Sequence, residues 1–242
     1  MAHRRACDLN APDRANLLRH TELSAALSDS LIREFASVSF AVDVRRRRFI
    51  YRAGDTPDAL YLIARGRIKL CCLEPGTGRE AVIDILPTGS LFGEFALYAS
   101  GARQMSAVAY ENARLLRIPV EKFRQLMAES SELYDYTFRL LGQRLSRAER
   151  RLADFALDAI PARLEKLLAE LSERYGRCAD DGVLIDLALP HREIASIVGS
   201  TRESITVRLN DMRRAGMIDF VDRKILIKHP PHAAAAVVVA GA

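Results

Sequence analysis

Pro190-His191-Arg192-Glu193-Ile194-Ala195-Ser196-Ile197-Val198-Gly199-Ser200-Thr201-Arg202-Glu203-Ser204-Ile205-Thr206-Val207-Arg208-Leu209 reads as two short helices joined by a tight turn. Pro190 can open a helix, because its φ is already helical and its missing N–H is one that a helix start leaves unpaired. Ile194, Ile197 and Val198 give that helix one apolar face, and the small Ala195 lets a second helix approach closely. Gly199 suits the left-handed residue that ends it. Ser200-x-x-Glu203 has the form of a capping box, so a second helix is expected to start there. Ile205, Leu209 and Met212 then follow at intervals of 4 and 3 and face inward. A turn this short between two helices is what a helix-turn-helix requires.

The second helix leaves its opening turn exposed. Thr201, Arg202, Glu203, Ser204 and Thr206, with Arg208 close behind, are the candidate DNA-contacting residues. A guanidinium can fork onto guanine O6 and N7, and a carboxylate can accept from cytosine N4. The first turn of a recognition helix is the part that enters a major groove. Thr201 and the helix N-terminus suit a backbone phosphate. Arg202-Glu203 in isolation would equally suit a solvated pair at a helix start; the surrounding frame favours base reading. After Gly216, Met217-Ile218-Asp219-Phe220 and Ile225-Leu226-Ile227-Lys228 flank the charged turn Val221-Asp222-Arg223-Lys224, which predicts a two-stranded wing. Residues 191–231 carry a net charge of +3, and Arg213, Arg214, Arg223 and Lys224 are candidate phosphate contacts.

Upstream, residues 120–128 read as a short helix, and a long helix begins near Glu132. In it Phe138, Leu141, Leu145, Ala148, Leu152 and Phe155 recur at steps of 3, 4, 3, 4 and 3. That is the seam of a two-stranded coiled coil, with Gln143, Arg144, Arg147, Glu149, Arg150 and Arg151 off it. The regularity predicts a homodimer axis rather than a helix packed on its own domain. Pro161 breaks this helix and starts another, Arg163 to Tyr175, closed by Gly176. Before residue 119 the pattern is β. Phe49-Ile50-Tyr51, Leu60 to Ile63, Ile68 to Leu73, Ala81 to Leu86 and Ala107 to Ile118 are apolar runs. Turns such as Ala53-Gly54-Asp55, Arg65-Gly66, Glu74 to Gly78 and Pro87-Thr88-Gly89 separate them, as in an antiparallel roll, barrel or sandwich. Residues 10–40 read as helical, and the run Arg45 to Arg48 reads as a solvated face at a strand entrance.

The 242 residues, 49% apolar, suit one large domain or two small ones. The net charge of +5 favours a polyanionic partner only weakly, since 31 acidic residues stand against 36 basic ones. Cys7, Cys71, Cys72 and Cys178 form no CxxC pair, and His3, His20, His191, His229 and His232 are scattered, so no metal site is expected. No nucleophile elbow, P-loop or HExxH occurs, which argues against an enzyme. No apolar segment follows Arg4 and Arg5, and the longest apolar run, Ala233 to Ala242, is far short of a spanning helix. A cytoplasmic protein with no membrane partner is expected.

Over roughly residues 25–230 the chain resembles the CRP/FNR family of transcription regulators. Gly54-Asp55, Leu60-Tyr61-Leu62-Ile63 and Gly66-Arg67-Ile68-Lys69 resemble that family's β-roll. Leu91-Phe92-Gly93-Glu94-Phe95-Ala96-Leu97 followed by Arg103 resembles its phosphate-binding cassette, and Thr201-Arg202-Glu203-Ser204-Ile205 its recognition helix. The resemblance implies an α+β chain. An N-terminal antiparallel β-roll, cupin-like or cyclic-nucleotide-binding-like, would span 1–130, a long dimerisation helix 131–160, a C-terminal winged helix-turn-helix DNA-binding domain 161–231, and a tail 232–242. It also implies a homodimer on a pseudo-palindromic operator in double-stranded DNA, with half-sites about 34–36 Å apart, and RNA polymerase as a partner if the protein activates. Arg202 and Glu203 would read a G·C pair. The family's usual arginine four positions after the glutamate is Val207 here, which removes a guanine contact worth roughly 1–3 kcal/mol of discrimination and implies a relaxed half-site.

The same resemblance makes Phe92, Gly93, Glu94, Arg103, Gln104 and Ser106 the candidate effector-binding residues. In cAMP-responsive members the positions of Glu94 and Arg103 hold a ribose hydroxyl and the cyclic phosphate, which suits a carboxylate and a guanidinium. Ser106 would assist. Gln104 and Met105 replace the small residues that usually follow the arginine, and Ala148-Glu149 stands where a hydroxyl meets adenine. These departures count against cAMP, and the choice between cAMP, another nucleotide and no effector stays open. No iron–sulfur cluster is expected, since Cys7 alone lies near the N-terminus. His20, Cys71 and Cys72 are unsupported as haem ligands, and thiol sensing by Cys71 or Cys72 is a weak alternative. The competing function is a nucleotide-binding regulatory module that controls a partner protein; DNA binding with a steep salt dependence separates the two.

Overall fold

The structure, a computed structural model, describes residues 5–6, 9–19, 21–25, 27–77, 79–98 and 101–228. His3, Arg4, Cys7, His20, Gly78, His229, His232 and the expected tail at 232–242 lie outside the described residues. The chain divides into two units, Met1–Ser146 and Arg147–Ala242.

In the first unit a short strand β1 (Arg5–Ala6) and three helices, α1 (Ala11–Arg19), α2 (Glu22–Ala25) and α3 (Asp29–Val38), precede a β-rich region. Its strands are β2 (Phe40–Val44), β3 (Phe49–Tyr51), β4 (Ala59–Arg65), β5 (Ile68–Leu73), β6 (Glu80–Leu86), β7 (Leu91–Phe92), β8 (Ser106–Ala109) and β9 (Ala113–Pro119). They form two antiparallel sheets, β1-β2-β9-β4-β7 and β3-β8-β5-β6. A 3₁₀ turn at Glu94–Leu97 follows β7, and α4 (Val120–Glu129) follows β9.

β4 explains why Leu60-Tyr61-Leu62-Ile63 contains no alternating polar residue. Successive side chains of a strand point to opposite faces. Leu60 and Leu62 enter a core shared with α3 and α4, while Ala59, Tyr61 and Ile63 fill the roll interior. β9 is divided in the same way, with Leu116 and Ile118 on one side and Ala113 and Leu115 on the other. Phe35 of α3 meets Phe123 of α4 edge to face, ring centroids 5.6 Å apart.

α5 (Ser131–Leu157) is one continuous helix of 27 residues, and the boundary between the units falls inside it. α6 (Ile160–Tyr175) begins earlier than the expected Arg163, because proline is tolerated in a first turn and Pro161 lies there. Gly176 is not a left-handed cap. It is extended, opens a strand, and leaves room for the Ser172 carbonyl, which an added Cβ would meet at 2.1 Å.

The second unit continues with β10 (Gly176–Ala179), β11 (Gly182–Ile185), α7 (His191–Val198), α8 (Arg202–Arg214), β12 (Ile218–Val221) and β13 (Lys224–Lys228). The sheet order is β10-β11-β13-β12. The expected wing is β12–β13; the β10–β11 hairpin is an addition to it. Leu164, Leu168 and Leu171 of α6, Ile194 and Val198 of α7, Ile205 and Leu209 of α8, and Ile218 and Ile225 of the sheet are buried.

Candidate functional site

α7 ends as its sequence requires. Gly199 is left-handed (φ 69°, ψ 52°), and the Ser200 N–H donates to the Ala195 carbonyl at 2.9 Å. The expected capping box does not form. Thr201 caps α8 in place of Ser200, its Oγ1 accepting from the Ser204 N–H at 3.2 Å. Ser200 is used by the turn itself, and its buried hydroxyl has no hydrogen-bond partner among the described residues. Ile205 and Leu209 are wholly buried. On a helix of this period they turn Arg202, Glu203, Val207 and Arg208 out to solvent. Neither Arg202 nor Glu203 is held in an ion pair among the described residues.

Thr206 departs from expectation. Its hydroxyl donates to the Arg202 carbonyl at 2.8 Å and lies 2.8 Å from His191 Nδ1. Its hydroxyl thereby ties α8 to the start of α7. With the threonine proton committed, Nδ1 must be the donor, which assigns the Nδ1–H tautomer. Burial, and then the Arg202 charge, hold the His191 pKa below the ordinary imidazole range.

The wing turns on Asp222-Arg223, both with positive φ (49° and 66°), the geometry that matches the twist of paired strands. Arg213 pairs with Asp219 at 3.0 Å, Lys224 with Asp186 at 2.6 Å and Arg214 with Asp211 at 3.5 Å. Three of the four expected phosphate contacts are thus already partnered, and Arg223 at the tip is exposed.

Along α5 the apolar seam is open. Phe138, Leu145 and Leu152 are 68%, 61% and 71% exposed, a stripe of apolar surface that a solvated helix would not carry. Leu141 is half-buried and Ala148 exposed. Tyr134 extends the stripe by one step of four, and stacks on Phe138 with ring centroids 6.4 Å apart. Phe155 is shared: its ring lies against Gly199, where an added Cβ would fall 2.5 Å from it, and Arg163 sits over its face at 4.9 Å.

The cassette residues are close together but differently employed. Phe92 is wholly buried and stacks on Tyr61, centroids 5.3 Å apart, so it is core and not a ligand contact. Gly93 is left-handed (φ 83°) and gives space to Arg103, whose Nη1 an added Cβ would meet at 3.0 Å. Arg103 is 4% exposed. Its guanidinium donates to the Gly93 carbonyl at 2.9 Å and to the Ala59 carbonyl, and lies 4.2 Å from the Tyr51 ring centroid. Its Nε is buried with no hydrogen-bond partner among the described residues. Glu94 is ion-paired with Arg144, which also donates to the Leu91 carbonyl at 2.6 Å. Ser106 is buried and accepts from the Ala53 N–H at 3.0 Å, which leaves its own proton to donate; Gln104 is exposed. A buried guanidinium with one orphaned N–H beside a glycine fits a phosphate oxygen.

Cys71 is poorly placed for thiol sensing. The side chain is fully buried, and burial, then Glu80, push the thiol up to about 12, far from a reactive thiolate. Cys72 is half-buried. Among the described residues no helix is long and apolar enough to cross a membrane.

Two family models match the chain, a cyclic nucleotide-binding domain over residues 41–130 and a Crp-like helix-turn-helix domain over 162–232. Over 186 residues it is 30% identical to a CRP-like cAMP-activated global transcriptional regulator of Mycobacterium tuberculosis, covering 77% of this chain and 83% of that protein. Over 206 residues it is 31% identical to a global nitrogen regulator of a Nostoc species, covering 83% and 92% respectively. Its fold is similar to that of the c-di-GMP-responsive global regulator of Xanthomonas campestris, with a TM-score of 0.72, 21% identity, and 84% and 100% of the two chains covered.

Proposed function

Because this chain belongs to the CRP/FNR family of DNA-binding transcription regulators, we propose that it acts as a homodimer on a pseudo-palindromic operator. It regulates transcription and is not an enzyme. In this reading residues 1–130 sense, 131–160 dimerise and 161–231 bind DNA. Each α8 enters a major groove, and Arg202 and Glu203 read a G·C pair in each half-site. Thr201, Ser204 and Arg208 flank them against the backbone. The protein works in the cytoplasm beside the chromosome, and RNA polymerase is its partner where it activates.

The observation that supports this reading best is the first turn of α8. Its two base-reading candidates are exposed and clear of ion pairs, and the buried Ile205 and Leu209 fix which way they face. Selection of bound sequences from random duplex DNA tests it. Enriched sequences should carry two inverted half-sites about 34–36 Å apart, and log K should fall linearly with log salt at about −0.9 per neutralised phosphate. A lone half-site, or salt-insensitive binding, contradicts the proposal.

The roll takes a phosphate-bearing effector through Arg103, with Glu94 on a sugar hydroxyl in competition with Arg144. A bound cyclic nucleotide would supply the phosphodiester anion that Arg103 Nε and the Ser106 hydroxyl can meet. The position that the resemblance assigns to the base is Ala148, which has no hydrogen-bonding group. Weak, base-blind binding is therefore expected, with cAMP and cGMP within about tenfold, roughly 1.4 kcal/mol, and none in Arg103→Ala. Calorimetric titration with both nucleotides checks this; strong preference for one base refutes it.

A further inference from the structure

β2, β9 and β4 are neighbours in one sheet. Their register sets Asp43 opposite Arg114, and Arg114 opposite Arg65. The carboxylate therefore shares a row with Arg114 and Arg65. Arg114 forks onto it, Nε to Oδ1 at 2.7 Å and Nη2 to Oδ2 at 2.9 Å. That hydrogen-bonded fork, with the Arg65 charge behind it, holds the Asp43 carboxyl below its ordinary range. Arg65 and Arg114 are like charges directly opposite across a ladder, an arrangement that destabilises a sheet.

The turn after β2 adds to the excess. Arg45 and Arg48 border the same groove, about 470 Å³ in volume, with Arg65, Arg114, Asp43 and Asn112. No carboxylate pairs with Arg45, Arg48 or Arg65 among the described residues. The turn is also fixed in place. Arg46 N–H donates to Asn112 Oδ1 at 2.9 Å, Arg47 N–H to the Ala109 carbonyl at 2.7 Å, and Ala109 N–H to the Arg48 carbonyl at 2.9 Å. Arg47 is held at φ 65°, which a non-glycine residue rarely adopts. With Asn112 Oδ1 taken, its amide N–H groups are its remaining donors. In sequence the run 45–48 reads as a solvated face; the fold brings Arg65 and Arg114 to it from distant strands.

We propose that this groove is an anion site for adjacent phosphate groups, separate from the cassette around Arg103. Four guanidiniums face one carboxylate on a rigid frame. The planar fork of arginine matches phosphate oxygens two at a time, and three guanidiniums with no ion-pair partner among the described residues suit several linked phosphates better than one. The volume lies within the range of small-molecule sites. A free polyphosphate and a nucleic-acid backbone share this chemistry.

Tripolyphosphate is the probe, used on the full chain. Near saturation it should raise Tm by roughly 3 °C or more, with sulfate at matched ionic strength giving less. The shift should persist in Arg103→Ala and vanish in the double variant Arg48→Gln/Arg65→Gln. That variant removes like-charge repulsion from exposed positions, so without anion its Tm should be no lower than wild type. Calorimetry on wild type should show one tripolyphosphate per chain and needs no variant. In a second arm, operator duplexes with and without flanking DNA separate the sources. Tighter binding of the longer duplex by wild type alone assigns the groove to backbone phosphates; equal binding assigns it to a free polyphosphate. An equal Tm shift in wild type and the double variant overturns the site, as does absence of both calorimetric binding and length dependence.

Discussion

Arg202→Ala is expected to lower affinity for the selected operator by about 30-fold to 10⁴-fold while leaving binding to random DNA nearly unchanged. A bidentate arginine–guanine contact contributes roughly 1–3 kcal/mol of discrimination, and a dimer makes it twice, so about 2–6 kcal/mol is at stake. The side chain stands exposed on the first turn of α8. Its loss leaves the buried anchors Ile205 and Leu209 untouched. The fold should therefore survive, which circular dichroism would verify. Salt dependence separates base reading from charge. A guanidinium on a base edge contributes little to counterion release, so the slope of log K against log salt should hold. If Arg202 instead met phosphate, the slope would fall by about 0.9 per protomer and random DNA would weaken in step. Arg202→Lys sharpens the test, since an ammonium keeps the charge without the fork; its specificity should fall almost as far as that of the alanine variant.

The helix-turn-helix was legible because its signals are local. Pro190 before α7, Gly199 after it and the spacing of Ile205 and Leu209 each act within one turn of helix. The one-residue error at the cap has the same origin. Ser200 and Thr201 both suit an N-cap, and only the left-handed turn, which uses the Ser200 N–H, shows which of them is left to do it. The β10–β11 hairpin was hidden for the opposite reason. Gly176-Arg177-Cys178-Ala179 is exposed throughout and has no apolar alternation, and Asp180-Asp181-Gly182 is its one turn signal.

Partners distant in sequence were out of reach altogether. Arg103 bonds the Ala59 carbonyl 44 residues away, and Thr206 is diverted to His191 by a contact across the turn. Phe92 looked like part of a ligand cassette because the motif is contiguous. The pleat sends it into the core against Tyr61, while Glu94, two residues on, is half-buried and pairs with Arg144. A cassette read from sequence marks a segment; only the fold says which of its side chains have atoms to spare.

Leu145→Lys is expected to convert the dimer into monomers and, with it, to abolish operator binding at concentrations where wild type is saturated. Leu145 is 61% exposed on the single chain, so the substitution removes little from the protomer's own core and its far-ultraviolet spectrum should be unchanged. In a coiled-coil dimer the two leucines face one another. Burying each contributes about 1.5–3 kcal/mol, and a lysine ammonium at that position adds the penalty of desolvating two like charges. Together these should raise the dimer dissociation constant by roughly 10²-fold or more. Gln143→Lys, two residues away and off the seam, carries the same added charge and should stay dimeric. Light scattering over a dilution series reads both. If Leu145→Lys remains a dimer where Gln143→Lys does, the exposed stripe from Tyr134 to Leu152 is not the axis. Two recognition helices would then have to be brought to successive grooves by some other surface.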